Sequence, residues 1–241
     1  MSSELIDLHC HCVPGIDDGV RSVEEGRALL HGLSALGFEQ VVATPHMRPG
    51  LFDNTLTAIR QAFDTAKPDL VQGNPLRLDL ACEHYFDDVV LQRILGGQGL
   101  PYPGGRAILL EFYEIDFPLH VDQCLSLLRR QGLLPVIAHP ERYRAIRASP
   151  PLLERLIDAG AVALLDVAAL VGKYGRSTQR CAEALLELEL YEAACTDCHR
   201  PGDVDEVGRA MALIERRYGP EEVQALFRLG PRAILDGQPS P

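Results

Sequence analysis

The sequence predicts an α/β fold closed as a barrel of parallel strands. Two observations carry the prediction. Short apolar runs alternate with helix-period segments along the chain. All but one of those runs lead directly into residues that can ligate a metal. In a parallel barrel every strand ends on one face, so ligands scattered along the sequence meet there; an open sheet would spread them along an edge.

The apolar runs are Leu5–Leu8, Val41–Thr44, Leu76–Cys82, Ala107–Leu110, Leu134–Ala138, Val162–Val167 and Tyr191–Thr196. Each has strand length, and most have the unbroken apolarity of a strand buried on both faces. Ser22-Val23-Glu24-Glu25 reads as a capping box. Leu29, Leu30, Leu33 and Leu36 share a face behind it, and Gly37 stops the helix. Val121, Cys124, Leu125 and Leu128 repeat that spacing up to Gly132. Ser149-Pro150 opens another helix, with Leu152, Leu153, Leu156 and Ile157 inside and Gly160 after it. Asp203 with Glu206 is expected to cap a further helix carrying Val207, Met211 and Ile214. No low-complexity stretch or long linker interrupts the pattern, so the expected organisation is a single domain over 1–241.

Composition narrows the function. The chain has 241 residues, 46% hydrophobic and 24% charged, which excludes a disordered or collagen-like polymer. Its net charge of −11, from 23 basic and 34 acidic residues, argues against general nucleic-acid binding and against docking on an anionic membrane. A local cationic site is still open if bound metals supply the charge. No run approaches the ~18–20 apolar residues of a membrane span. Met1-Ser2-Ser3-Glu4 shows no basic region followed by an apolar one, so no signal peptide is read. Cysteines number 7, an odd count without an export signal, which points to free thiols in a reducing cytoplasm.

The chemistry-bearing residues begin with Asp7-Leu8-His9-Cys10-His11. Strand alternation puts His9 and His11 on one face and Cys10 and Cys12 on the other. Alone, this H-x-H is as well explained by hydrogen-bonded core histidines. Further along come Asp17-Asp18-Gly19, Thr44-Pro45-His46, Cys82-Glu83-His84, Leu110-Glu111-Phe112, Ala138-His139-Pro140-Glu141-Arg142-Tyr143 and Thr196-Asp197-Cys198-His199. Mixed imidazole and carboxylate ligands suit Mn²⁺, Fe²⁺ or Zn²⁺ better than an all-oxygen Ca²⁺ site. Cys10-x-Cys12 and Cys195-x-x-Cys198 have zinc-like spacing, but both lie in or beside buried strands, where small buried Cys is the commoner state. No Cys sits in a Gly-rich loop ending in Arg, so a cysteine-nucleophile phosphatase is not expected.

Taken in this order, these motifs resemble the PHP (polymerase and histidinol phosphatase) superfamily of metal-dependent phosphoesterases. More closely, the chain resembles the bacterial manganese-dependent protein-tyrosine phosphatases of the CpsB/YwqE type, which act in capsule and exopolysaccharide regulation. The match runs from Asp7 to Gly230-Pro231-Arg232. The resemblance implies a distorted (β/α)7 TIM-like barrel with three divalent ions, most often Mn²⁺, at the C-terminal ends of the strands. It implies His9, His11, Glu83 and Asp197 on the first metal. Glu83 as a bridge, with Glu111 and His139, would hold the second. Asp18, His46 and His199 would hold the third. It further implies attack on phosphotyrosine by a metal-activated hydroxide, and a phosphoprotein substrate such as the tail of a bacterial tyrosine kinase.

Arg142, next to His139, is expected to grip the phosphate in two-toothed fashion; a surface ion pair with Glu141 is its alternative. Arg48 and Arg200 are further phosphate-binding candidates. Asp166 is given no role, and His31, His84 and His120 are placed outside the site. Two other functions stay open: a PHP phosphatase of a small metabolite such as histidinol phosphate, and a metal-free binding protein on the same barrel.

Overall fold

The structure is a computed structural model that describes residues 4–238, so the reading of Met1–Ser3 lies outside the described residues. In chain order, β1 (Leu5–Cys10) leads to α1 (Val23–Ala35). β2 (Phe38–Ala43) and the short β3 (His46–Met47) lead to α2 (Leu56–Leu70), and β4 (Arg77–Leu80) and β5 (Glu83–Tyr85) to α3 (Asp88–Leu95). β6 (Ala107–Glu111) precedes α4 (Val121–Arg130). β7 (Leu134–Ala138) passes through a 3₁₀ turn, Pro140–Arg142, into α5 (Arg144–Ala148) and α6 (Pro151–Asp158). β8 (Val162–Asp166) precedes the 3₁₀ turn Val167–Val171 and α7 (Arg176–Glu187). β9 (Ala193–Cys195) is followed by α8 (Val204–Tyr218), α9 (Pro220–Gln224) and α10 (Gly230–Asp236).

Every strand pair is parallel, in the orders β1-β2-β4 and β3-β5-β6-β7-β8-β9. The two expected runs around Val41–Thr44 and Leu76–Cys82 are each broken, so His46 and Glu83 sit on short strands of their own. Pro45, which has no N–H to donate, marks the first break. Isolated backbone bonds carry the ring across: Thr44 N–H to Cys10 O at 2.9 Å, Ala81 N–H to Ala43 O at 2.8 Å, and Glu83 N–H to Pro45 O at 3.2 Å. The ring closes between its first and last strands, where Asp197 N–H donates to His9 O and His11 N–H to Cys198 O, both at 2.9 Å. The barrel predicted from the sequence is therefore the architecture found.

Two apolar layers surround the strands. Ile6, Leu8, Val42, Leu109, Val136 and Leu164 pack within the barrel; their neighbours Val41, Ile108, Leu110, Ile137 and Leu165 pack outward against the helices. The alternation is that of a sheet buried on both faces. In β1 the alternation breaks. Pairing with β2 shifts register between Asp7 and Cys10, so Ile6 and Leu8 face inward and yet Cys10 and Cys12 lie in the outer layer. This irregularity re-aims His9 and His11 toward the barrel mouth.

The helix caps agree with the sequence in part. Ser22 Oγ accepts from Glu25 N–H at 3.3 Å, a contact worth ~1 kcal/mol. Glu25 reaches back to Arg21 N–H rather than to Ser22. Leu152 and Ile157 are only half-buried, while Leu153 and Leu156 form the inner stripe of α6. Asp203 does not cap α8 with its side chain: its carboxylate turns back to the N–H groups of His199 and Arg200, at 2.8 and 3.0 Å. All seven cysteines are free thiols. Among the described residues no helix is long and apolar enough to cross a membrane.

Candidate metal centre

Glu83 is the hub of the barrel mouth. Its carboxylate lies 3.3 Å from His9 Nε2, 3.3 Å from His11 Nε2, 3.0 Å from His46 Nδ1 and 3.0 Å from His139 Nε2. Asp197 Oδ1 completes the inner group, 3.1 Å from His9 Nε2 and 3.4 Å from His11 Nε2. Farther out, Asp18 Oδ1 lies 3.4 Å from His46 Nε2 and 3.5 Å from His199 Nε2. The structure thus brings all nine expected ligands together: His9, His11, Asp18, His46, Glu83, Glu111, His139, Asp197 and His199. They resolve into overlapping sets, namely His11/Asp18/His46/His199, His9/His11/Glu83, His9/His139/Asp197 and His46/Glu83/Glu111. His46 therefore stands between the implied second and third metals, and His11 borders the third as well as the first.

The surrounding chain fixes these side chains. Asp17 Oδ2 meets His11 Nδ1 at 2.9 Å and accepts from His46 N–H at 3.1 Å, which leaves His11 Nε2 to face the hub. Thr44 Oγ1 does the same for His9 Nδ1 at 2.6 Å. Asp7 accepts from both Thr196 N–H and Thr196 Oγ1–H, tying β1 to the segment that carries Asp197. The third residue of Asp17-Asp18-Gly19 has to be glycine, since a Cβ there would lie 2.2 Å from the His11 carbonyl. His139 and Asp197 both hold left-handed backbone, with φ of 38° and 44°. Such strain in non-glycine residues costs ~1 kcal/mol or more and concentrates at functional sites.

The electrostatics match a cation site. Burial pushes Glu83 and Asp197 up, yet the imidazoles around them win and hold both well below the usual carboxylate range. Burial lowers His9, His11 and His46, but the facing carboxylates outweigh it and raise all three. Burial, helped by the Glu83 charge, pushes Glu111 up to about 7. Burial and the nearby Arg142 bring His139 down to about 4, so it is a neutral imidazole. His9 Nε2, His11 Nε2, His46 Nδ1, Glu111 Oε2 and Asp197 Oδ1 are buried without a hydrogen-bond partner among the described residues. Orphaned buried donors and acceptors are costly. Five of them aimed into one small volume fit divalent cations with mixed nitrogen and oxygen ligands.

A cavity of about 530 Å³ opens beside this centre, lined by Arg48, Tyr85, Glu111, Tyr113, His139, Arg142, Arg147 and Tyr174 among others. Arg142 is not paired with Glu141. Its Nη1 lies 2.6 Å from Asp197 Oδ2 and 3.9 Å from Asp166 Oδ2. Glu141 is fully buried and accepts from Tyr191 O–H and Asp166 N–H at 2.9 and 3.1 Å. Of the other two arginine candidates, Arg48 lines the cavity; Arg200 is exposed, and its side chain does not line it. His84 takes no part in the ligand cluster: its ring meets Leu109 O and accepts from Leu100 N–H. Sequence reasoning gave no role to Asp17, Thr44, Asp166, Arg147, Tyr85 or Tyr174. Asp17 and Thr44 stood inside the motifs that carry Asp18 and His46, and Asp166 lay inside the apolar run Val162–Val167; the other three left no local trace.

Fold and site together define a parallel α/β barrel with a histidine–carboxylate metal centre at its C-terminal mouth. The family model described as capsular polysaccharide synthesis, CpsB/CapC, matches residues 5–236, and the chain belongs to that family. It is 30% identical to the tyrosine-protein phosphatase YwqE of Bacillus subtilis over 219 residues, covering 90% of this chain and 86% of that one. It is 27% identical to the tyrosine-protein phosphatase CpsB of Streptococcus pneumoniae, covering 97% and 99%. A chain from the crystal structures of these two proteins, described as unique metal-dependent tyrosine phosphatases, superposes with a TM-score of 0.86 at 28% identity, over 98% of this chain and 99% of that one. A phosphotriesterase homology protein of Escherichia coli shares the fold at a TM-score of 0.62 and 12% identity.

Proposed function

We propose that this chain is a metal-dependent protein-tyrosine phosphatase, with Mn²⁺ as its ion and three sites for it. Its substrate is a phosphotyrosine protein, in our reading a bacterial tyrosine kinase of capsule or exopolysaccharide synthesis. The observation that carries the reading is the set of buried, unpartnered ligand atoms around Glu83, open on one side to a cavity with guanidinium groups on its wall.

His9, His11, Glu83 and Asp197 would hold one ion, Glu83, Glu111 and His139 a second, and Asp18, His46 and His199 a third. Divalent ions there supply positive charge for phosphoryl oxygens and make water a stronger nucleophile near neutral pH. The chain's own part is orientation. Arg142 and Arg48 offer planar or fixed cationic donors to the non-bridging oxygens. Tyr143 is buried, and its hydroxyl accepts from Phe112 N–H at 3.1 Å, which sets the wall beside Glu111. A phenolate leaves with a parent pKa near ~10, so protonation of the leaving group is less demanding than for an alkoxide.

The test is phosphate release from a phosphotyrosine peptide, a phosphoserine peptide and histidinol phosphate, after chelation and with or without added Mn²⁺. The expected result is Mn²⁺-dependent release from phosphotyrosine. Preference for histidinol phosphate would move the protein to small-metabolite chemistry on the same centre. Failure to retain any metal would revive the binding-protein alternative.

A further inference from the structure

The cavity wall carries two arginine–tyrosine stacks. Arg48 Cζ lies 4.0 Å from the centroid of the Tyr85 ring, and Arg142 Cζ lies 4.8 Å from that of Tyr174. All four residues line the cavity. We propose that Tyr85 and Tyr174 are positioning residues that hold the two guanidinium groups as a clamp for the phosphoryl group. The proposal rests on the phosphatase reading above for the identity of the anion.

The first stack follows from strand register. β3 pairs with β5 as His46↔Glu83 and Met47↔His84, and one step further sets Arg48 beside Tyr85. His46 and Glu83 face the metal centre, and side chains two residues on share their face. Arg48 and Tyr85 are thus carried to the cavity by the same short strands that carry ligands. Among the described residues no carboxylate lies within ion-pair distance of Arg48, so the ring is what fixes its guanidinium and its charge is left for an anion. The second stack forms across β7 and β8. Arg142 stands on the 3₁₀ turn after β7. Tyr174 lies between Gly172 and Gly175, whose φ of 85° and 86° shape the tight turn that presents the ring. Asp197 and Asp166 also approach Arg142, at 2.6 and 3.9 Å; Asp197 is a candidate ligand, whereas the Tyr174 ring and Asp166, which the Tyr174 hydroxyl faces, anchor the guanidinium without drawing on one. An arginine stacked on an aromatic face keeps its edge for other partners: Arg48 has its whole edge for phosphate oxygens, and Arg142, with Nη1 on Asp197, has its remaining N–H groups.

The test titrates inorganic phosphate into the Mn²⁺-loaded protein by calorimetry, with metal content and thermal unfolding measured on each variant. Tyr85→Ala and Tyr174→Ala should each weaken phosphate binding about tenfold with metal content unchanged. Tyr85→Phe and Tyr174→Phe, which keep the ring, should recover most of that loss. In an Arg48→Ala background Tyr85→Ala should add less than about twofold, and likewise Tyr174→Ala on Arg142→Ala. Wild-type affinity in both alanine variants, phenylalanine variants as weak as the alanines, fully additive double variants, or a loaded wild type that binds no phosphate would each overturn the clamp. A wild type that binds phosphate with these dependences but cleaves no aryl phosphate would sink the phosphatase reading and leave the clamp standing.

Discussion

The inner and outer halves of the candidate metal centre use the same ligand chemistry in different surroundings. His9, His11, Glu83, His139 and Asp197 are at most 2% exposed and sit on strands or directly at strand ends. The side chains of Asp18 and His199 are 54% and 25% exposed and sit on loops. An inner ligand stripped of its metal leaves a buried charge or lone pair that water cannot reach. An outer ligand can be solvated. The inner half is therefore expected to be part of the fold's stability, and the outer half to exchange its metal with solvent.

Breaking the inner half has the largest expected effect. Asp197→Ala or His139→Ala should lower phosphotyrosine turnover at least ~10³-fold, with folding retained by circular dichroism. Near-normal rates in either variant would refute the ligand assignment. Breaking the outer half should do less. Asp18→Ala or His199→Ala should raise the Mn²⁺ concentration needed for half-maximal activity ~10–100-fold, with much of the rate restored at excess metal. Equal loss in both halves would remove the distinction.

Metal removal combined with pH sharpens it. In the metal-free protein His9, His11 and His46 are held above the usual histidine range, so the folded state binds protons that the unfolded chain does not. That stabilisation is complete below the unfolded value near ~6.5 and is lost as pH rises through the folded values. Burial, with the neighbouring Asp166 charge, raises Glu141 to about 8, which acts in the same direction between its unfolded value near ~4.3 and about 8. The melting temperature of chelated protein should therefore fall from pH 6 to pH 9. Mn²⁺ should raise it most at the alkaline end, since it binds the deprotonated ligands. A flat profile without metal would contradict the inner-half argument.

The smallest effect tests backbone strain. His139 is left-handed at φ 38°. His139→Gly should unfold at a higher temperature than His139→Ala, by the equivalent of ~1 kcal/mol, because only glycine adopts that conformation without penalty.

Much of this was legible in the chain. Each strand of the barrel lies within or next to an apolar run, and every expected metal ligand reaches the mouth. The reason is that burial on both faces and the convergence of parallel strand ends leave signatures in residue type alone. Elsewhere the sequence misled or was silent. Asp17 and Asp18 are adjacent and chemically alike, and only the loop's closure on His11 assigns one to the imidazole and the other to the outer cluster. Arg200 follows the last ligand pair, yet it faces solvent, because Asp203 folds that turn back on its N–H.

The sequence by itself determined the parallel barrel, its helical sheath and the set of candidate metal ligands, because those depend on hydrophobic period and on which side chains can bind a cation. Tertiary structure alone decided how the pieces face one another. The register shift in β1 turns His9 and His11 inward, the breaks after β2 and β4 lift His46 and Glu83 onto strands of their own, and Arg142 chooses Asp197 over its neighbour Glu141. Those outcomes depend on distances between segments far apart in the chain, such as the 188 residues separating Asp197 from the His9 carbonyl that receives its N–H. No local pattern encodes a contact of that kind, since its energy exists only once the ring has closed.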